Sequence, residues 1–207
     1  MIIHNEPVAT AGEPLSSANK VVVMLHGRGD RAENFIRLSQ ELSVEKVAFL
    51  APQAIQNTWY PFSFMEAVER NEPQLSLSLG GVAELMDNLQ GLGFDYQNVY
   101  LLGFSQGACL SLEYSARHAR RYGGVIAFTG GLIGQQIDTT QYSGNYEETP
   151  IFIGSSDHDP HVPEARIGES EQVLTEMGAS VNKKIYPNIG HTIIQEEIDA
   201  AQRILTD

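Results

Sequence analysis

Ser105 lies at the centre of Gly103-Phe104-Ser105-Gln106-Gly107, and the chain beyond it carries four histidines, His118, His158, His161 and His191, with the closely spaced carboxylates Asp157 and Asp159. A serine hydroxyl is a poor nucleophile at neutral pH, so acyl transfer through Ser105 needs a base in contact and a third group to orient that base. The five-residue pattern by itself is weak, because glycine-rich turns supply it by chance. Its surroundings strengthen it. An apolar run, 98–102, precedes it and a helical segment, 106–120, follows, the setting in which a strained turn lifts a serine hydroxyl clear of a sheet edge. The two glycines then have a steric reason, since a side chain at either would crowd the neighbouring strand or helix.

On elbows of this kind the chain order is serine, acid, histidine. His118 falls inside the segment after the elbow, among Arg117, Arg120 and Arg121, and reads as a surface residue. His191 follows the last apolar strand and precedes the final helix, where a catalytic base belongs. For the acid, Asp157 and Asp159 both stand just beyond a strand. Asp159 precedes Pro160, which biases it towards an extended backbone, and position favours it; Asp157 suits bracing of the turn. An oxyanion needs two donors, commonly the amide after the nucleophile and one from the loop after an earlier strand. Gln106 N–H is the first candidate and Arg28 N–H, between Gly27 and Gly29, the second. His26 sits in that same turn and reads as its brace. The cluster Asp157, His158, Asp159 and His161 is also of the type that binds zinc or manganese, so a metal-dependent hydrolase is a rival reading. It leaves Ser105, His191 and the glycines without a role.

These residues need strands to hold them. Apolar, β-branched runs at 20–25, 46–50, 98–102, 124–128, 150–154 and 181–186 alternate with segments of helical period at about 31–42, 75–89, 106–120, 164–177 and 192–205. Parallel strands need long crossovers, so this alternation predicts an α/β fold, a mostly parallel sheet with helices on both faces. The stretch before Lys20 reads as a polar lead-in. Two long connections interrupt the pattern: 51–73, with Trp59, Tyr60, Phe62 and Phe64, and 129–149, which has no clear period and is of a length usually functional or mobile. No internal repeat or low-complexity linker appears, and 1–207 reads as a single domain.

The bulk numbers narrow the partners. With 207 residues, 42% of them hydrophobic and 19% charged, the chain has the balance of a globular protein. A net charge of −13 repels polyanions and anionic bilayers, which argues against nucleic acid as a partner. The single cysteine, Cys109, cannot form an internal disulfide, and the N-terminus lacks a signal-peptide pattern. A cytoplasmic location is expected, with no membrane span.

Taken in order, Leu25-His26-Gly27-Arg28-Gly29-Asp30, Ala51-Pro52-Gln53-Ala54, Thr58-Trp59-Tyr60, the elbow, Asp159-Pro160-His161-Val162-Pro163 and Gly190-His191 resemble the phospholipase/carboxylesterase family, which includes bacterial carboxylesterases and acyl-protein thioesterases. The resemblance runs from about Val21 to Leu205. It implies an α/β-hydrolase fold without a large lid domain and an acyl-enzyme mechanism on small to medium acyl or aryl esters. Ser105 would be the nucleophile, His191 the base and then the acid, and Asp159, not Asp157, the orienting group. It also implies oxyanion amides from Arg28 and Gln106, a substrate pocket at Trp59, Tyr60 and Phe62 with Leu132 nearby, no cofactor or metal, and a possible homodimer. Two departures bear on substrate. Thioesterase-like members tend to carry an aspartate where this chain has Pro61 and an aliphatic residue where it has Arg28, so thioesterase or lysophospholipase activity stands as the alternative. A non-catalytic binding module that retains the fold is the remaining rival.

Overall fold

The apolar runs become neighbouring strands of one sheet in a computed structural model that describes residues 1–3 and 6–206. Its strands are β1 (Ala9–Gly12), β2 (Lys20–Leu25), β3 (Val47–Ala51), β4 (Val99–Phe104), β5 (Gly124–Phe128), β6 (Pro150–Ser156) and β7 (Ser180–Tyr186), in the spatial order β1-β3-β2-β4-β5-β6-β7. All neighbours from β3 to β7 pair parallel; only β1 runs antiparallel to β3. The expected mostly parallel sheet is therefore present.

Alternation along the strands decides which helix packs where. Val21, Val23 and Leu25 of β2 join a core cluster with Leu75 and Leu85 of α2 (Gln74–Gly91), Leu110 and Leu112 of α3 (Gln106–Arg117) and Ile167 of α4 (Glu164–Glu176). Val22 and Met24 point the other way, into a cluster with Phe35 of α1 (Ala32–Phe35) and Ile198, Ala201 and Leu205 of α5 (Gln195–Thr206). Strands buried on both faces read as continuous apolar runs, and those of β2 and β3 do.

Three elements differ from expectation. The lead-in contains β1, whose half-buried Ala9 and Ala11 pair with the edge of β3; four residues are too few to carry a visible period. The segment 31–42 is helical only to Phe35 and then winds as a 3₁₀ helix, Ile36–Glu41. Ile36, Ser39 and Leu42 are buried at a spacing of three, which the tighter winding serves. The last helix begins at Gln195, not 192, because Glu197 Oε2 accepts a hydrogen bond from Ile194 N–H (3.0 Å) and fixes the start there.

Glu197 is fully buried and its Oε1 has no hydrogen-bond partner among the described residues. Burial pushes its carboxyl from 4.5 up to about 7, with Glu196 adding and the Ile194 hydrogen bond opposing. The folded chain thus holds this proton more tightly than the unfolded chain. The associated stability is complete below about pH 4.5 and is lost as pH rises through about 7, a change on the order of 3 kcal/mol. Glu197→Gln keeps an acceptor for the Ile194 amide and should raise the urea midpoint at pH 8 relative to wild type while changing it little at pH 4.5. The same midpoint difference at both pH values would refute this.

Candidate active site

The site lies at the carboxyl ends of the parallel strands, where ligands bind in open α/β sheets. Ser105 forms the turn between β4 and α3 with φ 54° and ψ −117°, a conformation that costs on the order of 1–3 kcal/mol for a residue with a side chain. Its surroundings enforce it: Ser105 N–H donates to Phe128 O (2.9 Å), and Cys109 N–H to Ser105 O (3.0 Å). A Cβ on Gly107 would stand 1.9 Å from Leu25 O, and one on Gly103 2.3 Å from Gly107 O. Both glycines of the motif are thus sterically required, and Gly107 lets α3 press against the end of β2.

His191, in the loop after β7, and Asp159, in the loop after β6, meet at this turn. His191 Nδ1–H donates to Asp159 Oδ2 at 2.7 Å, and Ser105 O–H donates to His191 Nε2 at 2.8 Å. A carboxylate can only accept, which fixes Nδ1 as the protonated nitrogen and leaves Nε2 free to take the serine proton. The Asp159 side chain is fully buried and that of His191 is 20% exposed. Asp159 is itself held, its Oδ1 accepting from His161 N–H (2.8 Å) and Val162 N–H (2.9 Å). The neighbouring Asp157 faces elsewhere. Its Oδ1 accepts from Asn188 N–H (2.9 Å) and pairs with His158 (2.8 Å); the amide first and then His158 hold its carboxyl below its ordinary range. The Asp/His cluster therefore does not converge, and among the described residues no group of three or more His, Cys, Asp or Glu is arranged to hold a metal.

Gln106 opens α3, so its N–H has no carbonyl one turn earlier. Arg28 is the second residue of the turn Gly27–Asp30, closed by Asp30 N–H donating to Gly27 O (3.2 Å), with Gly29 at φ 80°. Both residues line the same cleft as Ser105. Their side chains have a further task. Gln106 Oε1 accepts from Trp59 N–H (2.9 Å) and Thr58 Oγ1 (3.2 Å), and its Nε2 donates to Tyr60 O (2.7 Å). Arg28 donates to Thr58 Oγ1, Pro61 O and Phe62 O. His26 lies behind the turn. Its Nδ1–H donates to Gly27 O (2.8 Å) and its Nε2 accepts from Ala54 N–H (3.1 Å), and burial pulls its pKa down, as suits a neutral brace.

The cleft encloses about 620 Å³ and is lined by residues that include Tyr60, Phe62, Phe64, Cys109, His161 and Val162. Two of the four residues expected to form a substrate pocket are on its wall, Tyr60 and Phe62, the latter 44% exposed. The other two are not. Trp59 is 1% exposed and turned inward, its indole N–H donating to His26 O (2.8 Å) and its ring 5.0 Å from the His26 imidazole. Leu132 is fully buried, its N–H donating to Ser170 Oγ and its carbonyl accepting from Arg166. Both belong to the buried core. Cys109 reaches the cleft floor, but burial pushes its thiol up to about 12, so it is no thiolate at neutral pH.

Several contributors carried no sequence signal. Phe104 packs its ring 5.1 Å from that of His191, and His161 stands edge-on to the same imidazole at 4.8 Å. Buried Asn71 accepts from Phe62 N–H (2.8 Å) and donates to Ser63 O (3.0 Å). The long stretch 129–149 is pinned from below: Arg166 donates to the carbonyls of Leu132, Gly134 and Gln135, and Glu113 accepts from Ile133 N–H and Tyr142 O–H. Phe104 is marked by the sequence only as a member of the elbow and His161 only as a member of the Asp/His cluster and its motif; Asn71, Glu113 and Arg166 are not marked at all.

Residues 7–206 match the family described as Phospholipase/Carboxylesterase. An acyl-protein thioesterase 1 of Neurospora crassa is 27% identical over 90% of this chain and 85% of its own length. A probable carboxylesterase, SOBER1-like, of Arabidopsis thaliana is 25% identical over 88% of this chain and 76% of its own. The crystal structure of a phospholipase/carboxylesterase from Dyadobacter fermentans, 44% identical, superposes with a TM-score of 0.95 over 100% of this chain and 99% of that one.

Proposed function

The chain belongs to the phospholipase/carboxylesterase family of α/β-hydrolases, and from that premise we propose that it is a serine carboxylesterase cleaving small to medium acyl or aryl esters through an acyl-enzyme. The observation that carries this reading is the continuous contact from Ser105 Oγ through His191 to Asp159, at 2.8 and 2.7 Å. In it, His191 Nε2 takes the hydroxyl proton as Ser105 Oγ attacks the ester carbonyl. Asp159 keeps the imidazole in the acceptor tautomer and stabilises the imidazolium that forms. The carbonyl oxygen gains negative charge as the tetrahedral intermediate forms, and the Arg28 and Gln106 amides bind it. His191 then gives its proton to the departing alkoxide, and water, activated by the same imidazole, releases the acid. The single unit 1–207 holds every group required, no cofactor or metal enters, and a cytoplasmic setting suits it; no helix among the described residues is long and apolar enough to cross a membrane.

The purified protein should hydrolyse p-nitrophenyl acetate and butyrate without loss to EDTA, and a fluorophosphonate should label Ser105, located by mass spectrometry. Turnover lost to EDTA with no labelling would favour metal-dependent hydrolysis. Folded protein with neither turnover nor labelling would favour the non-catalytic reading. The name of the Neurospora relative makes acyl thioesters the second substrate class to test.

A further inference from the structure

Arg28 and Pro61 meet in space: Arg28 Nη1–H donates to the Pro61 carbonyl at 2.7 Å. The same nitrogen donates to Thr58 Oγ1 at 3.2 Å, Nη2 donates to the Phe62 carbonyl at 2.5 Å, and the guanidinium lies 5.8 Å from the Tyr60 ring centre. All three acceptors are neutral and belong to one stretch, Thr58–Phe62. The side chain therefore links the turn Gly27–Asp30 to the Tyr60–Phe62 wall of the cleft. Gln106 holds the inner part of that wall, at Trp59 and Tyr60. Its outer part, the Pro61 and Phe62 carbonyls, is held by Arg28.

The chemistry assigns the two sides of the cleft. His191 must deliver its proton to the leaving oxygen, so the alcohol portion of an ester lies against His191 and the adjacent His161 and Val162. The acyl portion then lies against Tyr60, Phe62 and Phe64. We propose that Arg28 is a specificity-determining residue, a charged strut that fixes this wall, closes the acyl side of the cleft and favours short acyl groups over long ones. This rests on the reading of Ser105 as nucleophile. An alkyl chain long enough to reach the strut must strip water from a guanidinium and dislodge its hydrogen bonds. An aliphatic side chain at this position would instead yield and add apolar contact.

The test compares wild type, Arg28→Lys and Arg28→Leu on p-nitrophenyl acetate, butyrate and octanoate. In Arg28→Leu the kcat/KM for octanoate relative to acetate should rise about tenfold, with Arg28→Lys, which keeps the charge but not the fork, in between. Trp59 is the one tryptophan of the chain; it is buried and directly precedes Tyr60 of the wall, so its quenching by acrylamide should increase in Arg28→Leu. An unchanged octanoate-to-acetate ratio overturns the proposal. Failure of the underlying reading looks different: wild type hydrolyses none of the three esters and takes up no fluorophosphonate. The strut is then judged on Trp59 alone, where increased quenching supports it and unchanged quenching overturns it.

Discussion

Ser105→Ala is expected to lower kcat/KM for p-nitrophenyl butyrate by about 10⁴- to 10⁶-fold while leaving far-UV circular dichroism and the melting temperature close to those of wild type. The hydroxyl is spent on one contact, to His191 Nε2, so the fold loses little with it. The strained backbone at φ 54° is as costly for alanine as for serine and is imposed by Gly107, Phe128 and the end of β2. What remains in the variant, the amides of Arg28 and Gln106 and the imidazole, can still polarise an ester and activate water weakly. Activity within about tenfold of wild type in folded Ser105→Ala protein would place the nucleophile elsewhere.

The second large effect separates two aspartates that are two positions apart. Asp159→Asn should lower kcat by about 10⁴-fold, whereas Asp157→Asn should keep most of the activity. The Asp159 carboxylate accepts from Nδ1–H of His191 and thereby leaves Nε2 as an acceptor. An amide at 159 can present its own N–H₂ to Nδ1, which selects the other tautomer and puts a proton on the nitrogen that should receive one. Asp157 instead ties the loop after β6 to the one after β7 through Asn188 N–H, a bond that an amide oxygen can retain. The reverse result would move the orienting role to Asp157. A pH profile sharpens the comparison, since Asp159→Asn should also alter the acid limb of kcat/KM, which reports the essential base.

The strands and the elbow were legible because their signals are local. A β-branched run buried on both faces, as in Val21-Val22-Val23, declares itself within a few residues. The clash that forbids a side chain at Gly107 is likewise implicit in a strand, a tight turn and a helix following one another. Asp159 and His191 could be nominated because chain order and strand ends restrict where an acid and a base can stand. The pocket was less legible. Trp59 and Leu132 are apolar residues beside site residues, and only packing decides whether such a side chain faces the cleft or the core. Trp59 faces inward because its indole N–H finds the His26 carbonyl there. The use of the Arg28 and Gln106 side chains was invisible for the same reason: each hydrogen bond joins residues about thirty to fifty positions apart, beyond any periodicity. Residues 129–149 form no strand or α-helix, in keeping with their lack of period, but that lack conceals anchoring by Glu113 and Arg166, two charged residues on helices whose burial no local pattern announces.

The position of His191 also bears on when the protein becomes an enzyme. It lies in the loop between β7, the strand at one edge of the sheet, and α5. During synthesis the chain emerges from its N-terminus, so β2, the elbow and even Asp159 are made while the base that would activate Ser105 is still absent. On the chemistry proposed here, a ribosome-bound or prematurely released chain that stops before residue 191 has an inert serine. Hydrolysis then requires that β7 has joined the sheet and that the loop after it has brought the imidazole to Ser105, which makes ester turnover a readout of the docking of that edge strand.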